Sequence, residues 1–174
     1  MNKIAKIAQI GDFVLREQAQ PVANIDRELV ESLIATAIAN NGVGIAAPQI
    51  SNSQRLFIIA SHPSDRYPNA PTMQPTAMIN PRITTHGTQV VKDWEGCLSV
   101  PNVRGLVPRY QEITVEYTTI EDEIKQEILT DFVARIFQHE LDHLDGILFV
   151  DRVESKKDLY TEAEYLIKVA SSKR

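Results

Sequence analysis

His139-Glu140-Leu141-Asp142-His143 spaces two imidazoles four residues apart, which on a helix puts both on one face, within reach of a single divalent ion. Glu140 follows the first histidine and falls beside the open side of such an ion, where it can take a proton from water. The plain alternative is a polar helix face with two solvated histidines. Phe132, Val133 and Ile136 argue against it, because they mark the same stretch as a buried helix. A hydrolytic metal needs a third protein ligand. A downstream carboxylate, Glu162 or Glu164, would resemble thermolysin-like peptidases; Cys97, a soft sulfur, would suit Zn or Fe. Free cysteines are usually small buried hydrophobes, but Glu95-Gly96-Cys97-Leu98-Ser99 sets this one in a short Gly-containing turn among polar residues, and Cys97 is the favoured ligand.

Gly42-Val43-Gly44-Ile45-Ala46-Ala47-Pro48-Gln49 is a third element. It lacks the remaining glycine and the leading strand of a dinucleotide site. Its small residues allow a backbone to approach a ligand closely, and Gln49 supplies a neutral donor where an oxyanion could develop. Taken alone, the glycines read as a helix C-cap and turn.

These residues need a scaffold. Asp26 can cap a helix over about Arg27 to Asn40, with Leu29, Val30, Leu33, Ile34, Ala37 and Ile38 at helical spacing and Asn41-Gly42 as its stop. Strands are expected at Leu56 to Ala60, at Ala77 to Asn80 and Ile83 to Val91 on either side of Pro81, and at Ile147 to Val150. The alternation of Ile113, Val115 and Tyr117 with polar residues marks a half-buried strand that turns at Glu121 to Glu123 into a partner at Ile124 to Leu129. A helix from about Asp131 to Leu144, capped by Thr130 or Asp131 and ended by Asp145-Gly146, carries both histidines. A last helix, about Ser155 to Ala170, places Leu159, Ala163, Leu166, Ile167 and Ala170 on one face. Helices and antiparallel strands without regular βαβ alternation make an α+β fold.

Composition sets the bounds. The chain has 174 residues, 43% hydrophobic and 24% charged, with 7 Gly and 9 Pro, which suits one domain over residues 1–174 and excludes disordered, collagen-like or coiled-coil classes. A net charge of −5 offers no global attraction to nucleic acid or anionic lipid. The single cysteine forbids an internal disulfide and fits a reducing compartment. The N-terminus has neither a signal-peptide core nor transit-peptide character, so a cytoplasmic protein that does not enter the membrane is expected. The segment Ser61 to Thr76, with four prolines, reads as a surface loop inside the domain. His62 and His86 have no ligand-like spacing and read as surface residues.

In order and separation, Gly42 to Gln49, Glu95 to Ser99 and Gln138 to Gly146 resemble the three signature motifs of peptide deformylases. Val100-Pro101, Arg104 and Leu106-Val107-Pro108-Arg109 resemble the stretch after the family's cysteine motif, and the likeness extends from about Phe13 to Val150. The resemblance implies mixed, largely antiparallel sheets around a central metal-binding helix, with a C-terminal helix. It implies removal of the N-formyl group from the initiator methionine of new polypeptides, releasing formate. By position, Cys97, His139 and His143 would hold one divalent ion, with water as fourth ligand, and Glu140 would be general base and then acid. Gln49 and the backbone N–H of Leu98 would stabilise the oxyanion, and Gly44 would touch the substrate backbone. The family uses Fe(II), often replaced by Zn or Ni on isolation. Val43, Phe132 and Ile136 are candidates for the methionine pocket, with Arg104 as a loop residue at its lip or simply solvated. The Pro-rich loop at Ser61 to Thr76 is longer than in simpler members, and it could reshape the rim of the site or do nothing. Some relatives dock on the ribosome through a basic C-terminal helix. Lys156, Lys157, Lys168, Lys173 and Arg174 permit transient contact of that kind, whereas the interleaved Glu154, Asp158, Glu162 and Glu164 favour a solvated face.

Other classes predict different behaviour. A general zinc endopeptidase would tolerate loss of Cys97, and an inactive metal-containing binder of formylated N-termini would keep every ligand without turnover. A cysteine hydrolase would leave the histidine spacing unexplained.

Overall fold

Asp26 opens α1 (Arg27–Ala39), its side chain accepting hydrogen bonds from the N–H groups of Glu28 and Leu29. Leu29, Val30, Leu33 and Ala37 face inward, but Ile38 is 65% exposed. At 100° per residue Ile38 lies about 140° round from Leu33, past the edge of the apolar stripe. The structure, a computed structural model, describes residues 3–171. Lys173 and Arg174 lie outside them, as does the side chain of Ala170.

One sheet has five strands, β1 (Gly44–Ala46), β2 (Leu56–Ile59), β3 (Thr76–His86), β6 (Glu112–Thr118) and β7 (Ile124–Thr130), in the order β1-β2-β3-β6-β7. A second has three, β4 (Val90–Cys97), β5 (Val100–Tyr110) and β8 (Leu159–Thr161), in the order β4-β5-β8. Every strand pair is antiparallel.

The apolar run of β2 is explained by burial on both faces. Leu56 and Ile58 pack with the residues of α1, whereas Phe57 and Ile59 pack with Ala134, Ile136 and Phe137 of α2 (Asp131–Leu144). Ile113, Val115 and Tyr117 of β6 complete the floor beneath α2. With its apolar residues spent on the five-stranded sheet, α2 turns Arg135, Gln138, His139 and Asp142 toward the three-stranded one. These polar residues recur at helical spacing, so a single helix serves as core on one side and as chemistry on the other. The fold is α+β, with the helix that carries both histidines at its centre.

Several elements differ from the sequence expectation. β3 runs straight through Pro81, because the register shifts between Ile79 and Arg82 and Asn80 takes a φ of 48°. A bulge excuses the missing N–H. The break comes at Gly87 instead, and Val90 starts the next strand. Ile147 to Val150 is not a strand: a 3-10 turn at Phe149–Asp151 buries Leu148 and Phe149, and a short apolar run does not tell the two apart. The final helix is shorter than expected. Ser155 caps only a 3-10 turn, Leu159 belongs to β8, and α3 spans Glu162–Ser171. Its buried anchor is Tyr165, while Leu166 and Ile167 are exposed. Among the described residues no helix is long and apolar enough to cross a membrane.

Candidate metal centre and active site

Three segments meet at one point. Cys97 is the last residue of β4, paired with Val100 across a two-residue hairpin turn, so the strand ladder fixes its position rather than a free loop. His139 and His143 stand one helical turn apart on α2, rings edge to face at 5.0 Å. The ligand atoms of Cys97, His139 and His143 lie within 4.8 Å of one another, with His143 Nε2 3.3 Å from Cys97 Sγ. Gln49 sits in the 3-10 turn Ala47–Ile50 after β1. Its Oε1 accepts from the Ala46 N–H at 2.9 Å, which turns Nε2 toward Ser99 Oγ (3.1 Å) and Cys97 Sγ (3.5 Å). The Ser99 N–H also points at the sulfur, at 3.4 Å, a polarity that suits a ligand carrying negative charge. Glu162 and Glu164 are elsewhere: Glu162 accepts from Arg104, and Glu164 accepts from Thr161 at the start of α3. His62 and His86 bond to nearby oxygens, His86 stacking on Tyr110.

Behind the cluster lies a buried ion network that local patterns do not reveal. Glu95 accepts from Arg109 Nε (2.8 Å), Arg135 Nη1 (3.1 Å) and His139 Nδ1 (3.0 Å). Arg109 also donates to Asp142 at 2.6 Å, and Arg152 caps Asp142 from the surface at 2.7 Å. Burial alone would raise the Glu95 pKa; the Arg109 charge and the hydrogen bonds from His139 and Arg109 override it and hold it well below the usual carboxylate range. The bond to Glu95 fixes the His139 ring and leaves Nε2 to face the cluster. Burial works against charge on His139, but the Cys97 sulfur and Glu95 carboxylate hold its pKa well above the ordinary value. The Glu95 carboxylate equally favours a cation at the same spot. His143 is pushed the other way, first by burial and then by His139 and Arg109, so it keeps a free lone pair.

Glu95→Gln should therefore weaken metal binding by about 10- to 100-fold, read by competition with a chelator. It should also remove stability that wild type holds fully above the unfolded pKa of 4.5. Because the folded pKa is depressed, that advantage fades only as pH falls below this value. Equal urea midpoints for the two proteins at pH 7 and pH 3 would contradict the assignment.

Glu140 faces the same space from the turn between the histidines. It is buried, and desolvation raises its pKa to about 7. Its Oε2 is a buried polar atom with no protein hydrogen-bond partner, as expected where something else is to be bound. Gly44 is a glycine of necessity: a Cβ there would stand 2.5 Å from Glu140 Oε1 and 2.9 Å from Ile136 Cγ2. One sulfur, two imidazoles and an adjoining unpartnered carboxylate fit a divalent metal site with an open side.

A cavity of about 60 Å³ opens beside Glu140, and Val43, Gly44, Leu98, Phe132 and Ile136 line it together with Cys97 and His139. The Leu98 carbonyl accepts from Gln9 Nε2 at 3.3 Å, which steadies the hairpin tip. Arg104 departs from expectation. It is a buried strand residue of β5, 3% exposed, donating to Glu162 at 2.7 Å and to the Tyr67 hydroxyl at 3.1 Å, and its guanidinium occupies the space a Gly96 side chain would need. Tyr67 places the Pro-rich loop on the rim of the cavity. Sequence reasoning missed Tyr67, as well as the roles of Glu95, Arg109, Arg135 and Asp142. The one local clue to the network was an acidic residue two places before the cysteine.

The polypeptide deformylase family model matches residues 4–159, further at each end than the motifs alone suggest. The chain is 57% identical over 167 residues to peptide deformylase 2 of Nostoc sp., covering 94% of this chain and 93% of that protein. It superposes on a class I type b peptide deformylase from Acinetobacter baumannii, solved with Met-Ala-Ser bound, with a TM-score of 0.85 and 42% identity, over 88% of this chain and 100% of that one. The Thermotoga maritima peptide deformylase gives a TM-score of 0.78 and 38% identity, over 88% and 99% of the two chains. Sequence, fold and the geometry of the cluster converge: the chain belongs to the polypeptide deformylase family, metal-dependent hydrolases that remove the N-formyl group from newly made polypeptides.

Proposed function

We propose that Cys97, His139 and His143 hold one divalent ion per chain, and that Glu140, Gln49 and the Leu98 N–H carry the deformylation beside it, with residues 1–174 acting as one catalytic domain. The observation that carries this is the convergence of one sulfur and two imidazole donors within 4.8 Å, next to a buried carboxylate. That donor set suits Fe(II), Zn or Ni; Fe(II) is assigned as the working ion, with Zn or Ni replacing it in preparations. When bound, the ion supplies a Lewis acid for the formyl oxygen and brings the ionisation of water close to neutrality.

Glu140 takes a proton as the water oxygen adds to the formyl carbon, then delivers it to the amine nitrogen as the C–N bond breaks and formate leaves. Burial raises the Glu140 carboxyl above the usual carboxylate range, which makes it a better proton acceptor than an ordinary carboxylate while it can still give the proton up. Gln49, with its amide locked by Ala46, presents Nε2 toward the developing oxyanion, and the Leu98 N–H is the second donor. Gly44 admits the peptide backbone, Val43, Phe132 and Ile136 receive the methionine side chain, and Arg104 supports the rim. The Met-Ala-Ser held by the Acinetobacter relative supports a methionyl substrate.

Gln49→Leu should lower kcat for formate release by about 100- to 1,000-fold with metal retained. An unchanged rate would remove Gln49 from the mechanism.

N-formylmethionyl nascent chains are the substrate, and the cytoplasm is the assigned compartment, supported by bacterial relatives. Exposed Leu166 and Ile167 beside Lys168 support transient ribosome contact through α3; the acidic residues around them weigh against it.

A further inference from the structure

β7 closes one edge of the five-stranded sheet, with β6 on one side and, among the described residues, no strand on the other. Which of its backbone groups face that open side follows from the ladder. The Thr119 N–H donates to the Glu123 carbonyl and the Asp131 N–H to the Gln111 carbonyl, both at 2.8 Å, one at each end of the β6–β7 pairing. Antiparallel pairs alternate between hydrogen-bonded and non-hydrogen-bonded. The register runs unbroken from Thr118–Ile124 to Glu112–Thr130. Lys125, Glu127 and Leu129 therefore bond to β6, and Ile124, Gln126 and Ile128 turn their N–H and C=O groups outward. An edge of this kind is a template for another strand.

The side chains decide which strand fits. Leu129 packs into the core with α2, so Lys125 and Glu127 share its face, and Ile124, Gln126 and Ile128 lie on the other. Ile124 is 75% and Ile128 64% exposed. Ile124-Lys125-Gln126-Glu127-Ile128 is self-complementary when a second copy runs antiparallel about Gln126. Ile124 then lies opposite the partner's Ile128, and Lys125 opposite the partner's Glu127, each twice over. Outward-facing residues meet outward-facing residues throughout, so about six inter-chain hydrogen bonds can form.

Other registers are penalised. Moving the centre by one residue sets Lys125 against the partner's Lys125, or Glu127 against the partner's Glu127, and like charges directly opposite destabilise a pair. Both side chains are already held at the strand: Lys125 pairs with Glu127 at 3.2 Å, and Glu127 accepts from the Tyr117 hydroxyl at 2.7 Å. We propose that β7 is a self-association surface, which joins two copies of this chain edge to edge in one continuous sheet. β1, which carries Gly44, is the opposite edge, so the pairing leaves it uncovered.

Sedimentation of the full chain should show the mass climbing from one chain toward two as concentration rises. Gln126→Pro removes an outward N–H without touching a bond to β6, and should raise the half-association concentration by at least about tenfold. Lys125→Glu and Glu127→Lys should each do the same alone. Mixed, these two variants should associate with each other, because every acid then faces a lysine. Circular dichroism and formate release should match wild type in each variant. A mass that stays at one chain at every concentration would overturn the proposal and leave the edge to a strand from another protein. Association that survives both Gln126→Pro and Lys125→Glu would place the contact on another surface and overturn it too, as would a mixture of the two folded charge variants that fails to associate.

Discussion

Glu140→Ala should keep its metal and lose on the order of 100- to 10,000-fold in the rate of formate release. The two halves of that expectation have separate causes. Glu140 is not among the three converging donors, so its removal leaves Cys97, His139 and His143 in place. Its carboxylate is nevertheless buried and lines the cavity beside Gly44 and Ile136, in the position proposed for the acid–base group. Glu140→Gln preserves the shape but cannot shuttle a proton, and should be equally slow. The pH profile adds a further check. Glu140 has a pKa of about 7 without a cation beside it. A divalent ion nearby favours the charged carboxylate, so the acid limb of kcat/KM in the loaded enzyme should fall below pH 7. Rapid turnover by a metal-loaded Glu140→Ala protein would remove Glu140 from its role.

Cys97→Ala should abolish both metal retention and turnover. It leaves two imidazoles where a hydrolytic site needs three protein ligands, so the loss of affinity should exceed the ~10- to 100-fold expected for an outer residue such as Glu95. Neither Glu162 nor Glu164 can substitute, because both are engaged around β8 and α3. The fold should survive, since Cys97 belongs to a hairpin held by the whole β4–β5 ladder. Metal content per chain, measured beside circular dichroism, separates loss of the site from loss of the protein. A folded Cys97→Ala variant with full metal and activity would favour a general zinc endopeptidase.

What the sequence made legible was whatever sits close together along it. Asp26 caps α1 through the next three residues, β6 alternates in and out, and the histidines lie one turn apart on a single helix. Cys97 could be paired with that helix only through its chemistry and the motif resemblance. Contacts formed between distant segments stayed hidden. β8 exists because Val103, Arg104 and Gly105 offer an edge to Thr161, Tyr160 and Leu159, and nothing within that triplet distinguishes it from the start of a helix. Arg104 looked like a loop residue for the same reason: β5 conceals its strand character behind two prolines and a glycine. The Glu95–Arg109–Asp142 network joins two strands and a helix, so no spacing announces it. The Pro-rich loop read as surface, and its Tyr67 reaches the active site only because Arg104 and Phe132 meet it there.

The most direct test is release of formate from formyl-Met-Ala-Ser by protein prepared without oxygen, with bound metal counted on the same sample. Turnover should rise in proportion to metal occupancy up to about one ion per chain, with Fe(II) supporting it, and unformylated Met-Ala-Ser should remain intact. A fully occupied site that releases no formate, or that cleaves the unformylated peptide just as fast, would contradict the account.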